Sequence, residues 1–153
     1  KVFVMDMNEE RLVFCKEELA ADQIIQAGPA AYEQIASLTD GDFIDTVFDA
    51  TGNPKAMEAG FTLVAHGGSY VLVSVVKADI RFADPEFHKR EMTLMGSRNA
   101  TREDFEHVVS CLENGSVKVS AMITHKGKLL DLPELLPTWC DPQNSVIKAV
   151  VEV

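Results

Sequence analysis

Apolar residues in this chain come in short dense runs, separated by stretches where they recur at helical spacing. Val2, Phe3, Val4 and Met5 are apolar at successive positions and Asp6 ends the run, the pattern of a parallel strand covered on both faces. Asn8 is placed to cap a following helix, with Glu9 and Glu10 in the first turn, where the helix dipole favours acids. Leu12, Cys15 and Leu19 continue it as an apolar stripe. A short strand at Gln23–Ile25 comes next, then Gly28-Pro29 and a helix over about Ala30–Leu38. Thr46-Val47-Phe48 predicts a strand, Asp49-Ala50-Thr51-Gly52-Asn53 a turn, and Pro54 suits the first position of a helix. That helix is expected to run to about Val64 and stop at Gly67-Gly68. Further strands are expected at Ser69–Val73 and Met92–Met95, with Asp84-Pro85 read as a loop between them. Gly96-Ser97-Arg98-Asn99 follows, then a helix from Thr101 to near Asn114-Gly115. Strands separated by helices of this length predict an α/β fold with a parallel sheet and crossovers. The tail, with Pro133, Pro137, Pro142 and a closing β-branched run Val146–Val153, breaks the alternation.

Composition narrows the function classes. The 153 residues are 46% hydrophobic and 25% charged, ordinary for one soluble globular domain and short for two. A net charge of −10 argues against a nucleic-acid partner, because phosphate backbones need a basic face. No apolar run approaches the roughly 18 residues of a membrane span, and no stretch has the order of a signal peptide. The three cysteines Cys15, Cys111 and Cys140 are widely spaced and odd in number, so a reducing cytoplasm is the expected setting.

In an open parallel sheet, ligands bind beyond the carboxyl ends of the strands. The residues following each expected strand nominate a site: Asp6 and Met7; Ala50, Thr51 and Gly52; Ser74, Val75 and Val76; Ser97, Arg98 and Asn99. A carboxylate ending the second strand of a nucleotide-binding unit accepts from both hydroxyls of an adenosine ribose and repels a 2′-phosphate. Taken alone, Asp6 reads equally as a solvated acid, the Asp49–Gly52 segment as a turn capping the next helix, and Arg98 as a surface cation. Together the segments fall on one edge of the expected sheet, in the order a dinucleotide site needs. His66, His88, His107 and His125 lack zinc-ligand spacing with any second donor. No serine lies in a nucleophile elbow. Cys15 and Cys111 fall on apolar helix stripes, where core packing is expected.

Residues 2–11, Val-Phe-Val-Met-Asp-Met-Asn-Glu-Glu-Arg, resemble the second strand and following helix of the zinc-type medium-chain alcohol and polyol dehydrogenases. The resemblance continues through Ala20-Ala21-Asp22, Val47–Gly52, Gly67–Val71, Glu91–Arg98, Ile123-Thr124-His125 and Val146–Val153, nearly the whole chain. Within the family, the sorbitol, threonine and hexonate dehydrogenases are most similar in pattern, with a Ser-Arg-Asn segment after the sixth strand. The resemblance implies a Rossmann-type parallel sheet with flanking helices, with NAD as cofactor. It implies that Asp6 takes the adenosine ribose, with Met7 beside it and Arg11 approaching from the helix. Ala50, Thr51 and Gly52 would line the adenosine and ribose face. Ser74 and Val75 would offer backbone groups to the nicotinamide carboxamide, Gly96, Ser97 and Arg98 would complete that end, and Lys148 would contact the pyrophosphate.

The family's zinc ligands and proton relay belong to a catalytic domain that the sequence does not contain, so zinc is expected in a full-length parent only. The first strand and glycine-rich turn, which should precede such an acid by about 20 residues, are also absent. The expectation is one NAD-binding domain over residues 1–153, truncated on its N-terminal side, with a tail at 126–153. Its parent would transfer hydride between a secondary alcohol, polyol or sugar acid and NAD. It would be a cytoplasmic homo-oligomer, dimer or tetramer, with no membrane or nucleic-acid partner. A stand-alone adenine-nucleotide-binding module without catalysis, and a pure assembly unit, are the other classes left open.

Overall fold

The computed structural model describes residues 1–153, and strands alternate with helices along it. The chain divides into two units, residues 1–27 with 101–153 and residues 28–100.

The first unit opens with β1 (Phe3–Asp6), paired in parallel with β2 (Gln23–Gln26) so that Asp6 lies opposite Gln26. Between them α1 (Glu9–Glu17) begins where the Asn8 side-chain oxygen accepts from the Arg11 N–H at 3.0 Å. Leu12, Ala21 and Ile25 are the buried apolar residues here. The expected stripe is shorter than its spacing suggests. α1 ends before Leu19, which is exposed, and Ala20 turns the chain at φ 56°. Nor is β1 buried on both faces: one helix packs on a two-stranded ladder and Met5 stays exposed.

The second unit is built on one parallel ladder in the order β3 (Ile44–Asp49), β4 (Val64–Leu72), β5 (Thr93–Gly96), with α2 (Ala31–Leu38), α3 (Pro54–Gly60) and α4 (Asp84–Lys89) connecting or preceding its strands. Asp49 lies opposite Leu72 and Leu72 opposite Gly96, so the three strands finish in one row. α3 is capped by Asn53, whose side chain accepts from the N–H groups of Lys55 and Ala56, with Pro54 just inside.

Two boundaries differ from expectation. The helix after Pro54 stops at Gly60, not Gly67, and one 3-10 turn (Phe61–Leu63) leads straight into β4. The cause is tertiary. A Cβ on Gly60 would fall on the ring and hydroxyl of Tyr70, so glycine is needed for close approach and not as a stop. Gly67 and Gly68 instead lie inside β4, where the pairing slips between Ile44↔Val64 and Thr46↔Ser69. There Gly67 adopts φ +70° and donates its N–H to the Arg90 carbonyl at 2.7 Å. Asp84-Pro85, expected as a loop, opens α4, since proline fits a first helical turn.

The core of this unit is Phe61, Val64, Tyr70 and Met92, with Val47, Leu72, Ile80 and Phe87 against it. Phe61 meets Tyr70 edge-on at 4.8 Å and stacks on Phe82 at 4.6 Å. Arg90 lies 5.0 Å from the centre of the Phe43 ring and donates to the carbonyls of Thr62 and Val64, pinning the start of β4.

The chain then returns to the first unit. α5 (Arg102–Glu113) starts at Thr101 as expected, in a reciprocal cap between Thr101 and Asp104. After α6 (Val119–Met122), β6 (Ile123–Lys128) pairs in parallel with β7 (Lys148–Glu152), connected through α7 (Leu132–Cys140). The tail therefore keeps one more strand–helix–strand unit than its prolines suggest. Pro133 sits in the first turn of α7, where no N–H is missed, although Pro137 lies within it. Ser145, at φ 49°, donates to Glu10 and ties the segment before β7 to α1. No helix is long and apolar enough to cross a membrane.

Gly60→Ala tests the contact with Tyr70. Alanine in a helix gains about 0.5–1 kcal/mol over glycine, but overpacking against a fully buried ring costs about 1–3 kcal/mol. The expected result is net destabilisation, read as a lower urea midpoint at unchanged slope. Tyr70 also predicts a pH effect. Burial and the nearby Asp49 push its phenol well above the ordinary range. The folded state thus favours the neutral phenol; the stabilisation is complete below the unfolded value near pH 10 and fades as pH rises through the folded one. Tyr70→Phe leaves the Met57 carbonyl without its 2.8 Å donor, costing about 1–2 kcal/mol at neutral pH. The variant should show a flatter alkaline decline in urea stability and lack the late-titrating phenol in ultraviolet absorbance.

Candidate functional site

In the second unit, the carboxyl ends of β3 and β4 are joined through one side chain. Asp49 is 6% exposed and is the only buried charged residue. Its Oδ1 accepts from the Thr51 N–H at 3.1 Å, the Thr51 hydroxyl at 3.0 Å and the Ser74 hydroxyl at 3.1 Å. Its carbonyl accepts from the N–H groups of Val73 and Ser74 at 2.9 and 3.2 Å. The Ser74 oxygen in turn accepts from the Gly52 N–H at 3.0 Å, and the Thr51 oxygen from the Asn53 N–H at 3.2 Å. No Lys or Arg pairs with Asp49. Its burial is offset by neutral donors alone, which is how a buried acid avoids an uncompensated desolvation cost. Tyr70 comes within 3.5 Å of Oδ2, but its single proton is better used on the Met57 carbonyl at 2.8 Å.

The residues nominated from sequence in this unit divide accordingly. Thr51, Gly52 and Ser74 are brought together by Asp49 into one network. Gly52 adopts φ +60° with open space where a Cβ would stand, the backbone freedom that glycine supplies. Ala50 is exposed beside them, and Val75 is 84% exposed. The Ser74 N–H is already used on Asp49, so its hydroxyl and the Val75 backbone are what this segment can offer a ligand. Ser97 donates its N–H to the Leu72 carbonyl at 2.9 Å, which fixes the exit of β5, while the Ser97 and Arg98 side chains are exposed and Arg98 has no ion pair. The helix after Asp49 is capped by Asn53, not by the acid. Asp49 is not among the residues nominated from sequence, because the partner that ties it to the end of β4, Ser74, lies far along the chain.

In the first unit, Asp6 is half-buried at the tip of β1. Its Oδ1 accepts from the Asn8 N–H at 2.8 Å, which leaves Oδ2 without a protein partner. The adjoining Met7 is 81% exposed, and its carbonyl accepts from the Gln26 amide at 2.7 Å. Arg11 is exposed on the first turn of α1 without an ion pair. Lys148 begins β7 opposite Ile123, exposed and unpaired, and no hydrogen bond links it to Asp6 or Arg11. Cys15 and Cys111, expected in the core, are only half-buried. Burial and the Asp6 charge push the Cys15 thiol up, away from the reactive thiolate. No three His, Cys, Asp or Glu side chains gather as a metal donor set.

Comparison with known proteins gives the family and the fold. The zinc-binding dehydrogenase family matches over residues 1–114. The L-galactonate-5-dehydrogenase of Escherichia coli is 39% identical over 118 residues, 77% of this chain and 35% of that protein. An NAD-dependent alcohol dehydrogenase of Sulfurisphaera tokodaii is 29% identical over 133 residues, 86% of this chain and 38% of that one. The chain thus spans little more than a third of the curated relatives it matches. Among solved structures, an Escherichia coli alcohol dehydrogenase complexed with NADH superposes with a TM-score of 0.88 at 21% identity, covering all of this chain and 44% of that one. The L-idonate 5-dehydrogenase of Escherichia coli gives 0.85 at 21% identity, over 100% and 43% of the two chains. These structural matches establish a Rossmann-like α/β fold, and the sequence matches establish descent: the chain belongs to the zinc-binding dehydrogenase family.

Proposed function

We propose that this chain is the NAD(H)-binding part of a zinc-dependent dehydrogenase that moves hydride between NAD and the secondary alcohol of a polyol or sugar acid. One observation carries the cofactor assignment. Asp6 ends β1 with one carboxylate oxygen held by the Asn8 N–H and the other free, as an acid gripping ribose hydroxyls requires. Fixing one oxygen orients the group before a ligand arrives, and its charge opposes a 2′-phosphate. Asp6 would accept from the adenosine ribose, with Met7 and Arg11 beside it. Ala50, Thr51 and Gly52 would line the nucleoside, Ser74 and Val75 would meet the carboxamide end with Ser97 and Arg98, and Lys148 would supply counter-charge to the diphosphate. Bound NAD supplies the hydride acceptor; this chain's residues bind and orient it.

The residues do not fit a zinc site, since no donor trio exists, so zinc would be held by residues outside this sequence. The sugar-acid and polyol classes are supported by L-galactonate-5-dehydrogenase and by a D-xylulose reductase of Scheffersomyces stipitis, 25% identical over 141 residues. Residues 1–153 would serve as one NAD-binding domain, with 126–153 as its tail. An oligomer is supported by β5, an edge strand whose four residues are all exposed. Cytoplasmic placement rests on the three unpaired cysteines.

Asp6→Asn in the full-length protein tests the cofactor assignment. Removing the charge should weaken NADH and strengthen NADPH binding, narrowing the preference about tenfold or more, as measured by fluorescence titration with each. Equal NADH and NADPH affinities in wild type and variant alike would sink it.

A further inference from the structure

The network around Asp49 has a polarity. A hydroxyl carries one proton, and Thr51 and Ser74 both direct theirs at the Asp49 carboxylate, at 3.0 and 3.1 Å. Each hydroxyl oxygen also accepts one backbone N–H, from Asn53 and from Gly52 respectively. The loop's other amides are occupied as well: Thr51 on Asp49, and Lys55 and Ala56 on the Asn53 side chain. No N–H from Thr51 to Asn53 remains free, and neither hydroxyl has a proton to give outward. What these groups keep is the remaining lone pair on each hydroxyl oxygen.

We infer that Asp49 is a positioning residue that makes the Thr51–Ser74 rim an acceptor-only surface, one that takes a hydrogen-bond donor of the cofactor and refuses its phosphates. Two groups of NAD carry such donors, the ribose hydroxyls and the N–H of the nicotinamide carboxamide. A phosphate oxygen, which only accepts, finds no partner at this loop. The inference rests on the cofactor role proposed above and adds the cause of the rim's selectivity. Asp49→Leu, of similar shape, removes both acceptor oxygens, so that the Thr51 and Ser74 hydroxyls are free to turn their protons outward.

The test is fluorescence titration of the full-length protein with NADH, and competition with two analogues. In 3-acetylpyridine adenine dinucleotide the carboxamide N–H is gone; in 2′-deoxyribose analogues a ribose hydroxyl is gone. Asp49→Leu should bind NADH about tenfold more weakly, with KM for NAD raised more than kcat is lowered. Ser74→Ala or Thr51→Val should erase the wild-type preference for NADH over one of the two analogues, and the analogue affected identifies the donor. If Asp49→Leu does not fold, the double variant Thr51→Val with Ser74→Ala carries the affinity test, with the same roughly tenfold loss expected. A lower melting temperature with unchanged NADH affinity and unchanged analogue preference would reduce Asp49 to a structural role and overturn the inference. Failure of the wild-type protein to bind NADH would bring down the cofactor role itself, and this inference with it.

Discussion

The second unit depends on how closely α3 approaches β4. The Tyr70 ring is fully buried beneath Gly60, and its hydroxyl reaches the Met57 carbonyl at 2.8 Å. That bond satisfies a polar group no water can reach, and burial without it would cost about 1–3 kcal/mol. The same ring anchors the aromatic cluster through Phe61. Gly60 is therefore less a helix terminator than the hole into which the core residue fits. Once α3 lies at this height, the turn before it and the end of β4 converge, and Asp49 can bond across both.

Asp49 turns packing into chemistry. A buried carboxylate with no cation partner is tolerated because its donors are an amide and hydroxyls at 3.0–3.1 Å. Such neutral donors impose direction, and so fix which way Thr51 and Ser74 face. Shape and polarity of the rim thus have one origin in the interior. The Tyr70 phenol, pushed up by burial and by this acid, stays neutral beside it and adds no second charge to the cluster.

Much of this was legible in local sequence, and the losses follow a rule. Asn8 and Thr101 cap helices by bonds spanning three residues, and Pro54 follows the capping Asn53, so short-range chemistry predicts all three starts. Gly67-Gly68 misled because a glycine pair signals an ending as readily as a bulge; the helix end was set by Tyr70, ten positions beyond Gly60. Asp84-Pro85 misled for a similar reason, since the pair suits both a turn and a first helical turn. Asp6 stood out because strand-end acids have a local signature. Asp49 did not, because its local signature is an ordinary turn and its decisive partner is Ser74. What sequence could not show is which acid faces inward.

The two strand-end acids, Asp6 and Asp49, end in opposite states, and the contrast bears on how the proposed dinucleotide would be held. Asp6 keeps a free, charged acceptor; Asp49 spends its charge internally and leaves neutral acceptors at the surface. Neither arrangement donates to a phosphate. The helix starts that follow them do not either: α1 opens on Glu9 and Glu10, and the first amides of α3 fold onto Asn53. Anions bind helix N-termini through free N–H groups and an unopposed dipole, whereas the start of α1 is acidic and that of α3 is occupied. Such strand ends offer acceptors to hydroxyl and N–H donors, as the proposed cofactor role requires of them. The diphosphate of the proposed cofactor would need N–H donors from a different turn, and exposed Lys148 and Lys128 are unpaired cations of the first unit's closing ladder.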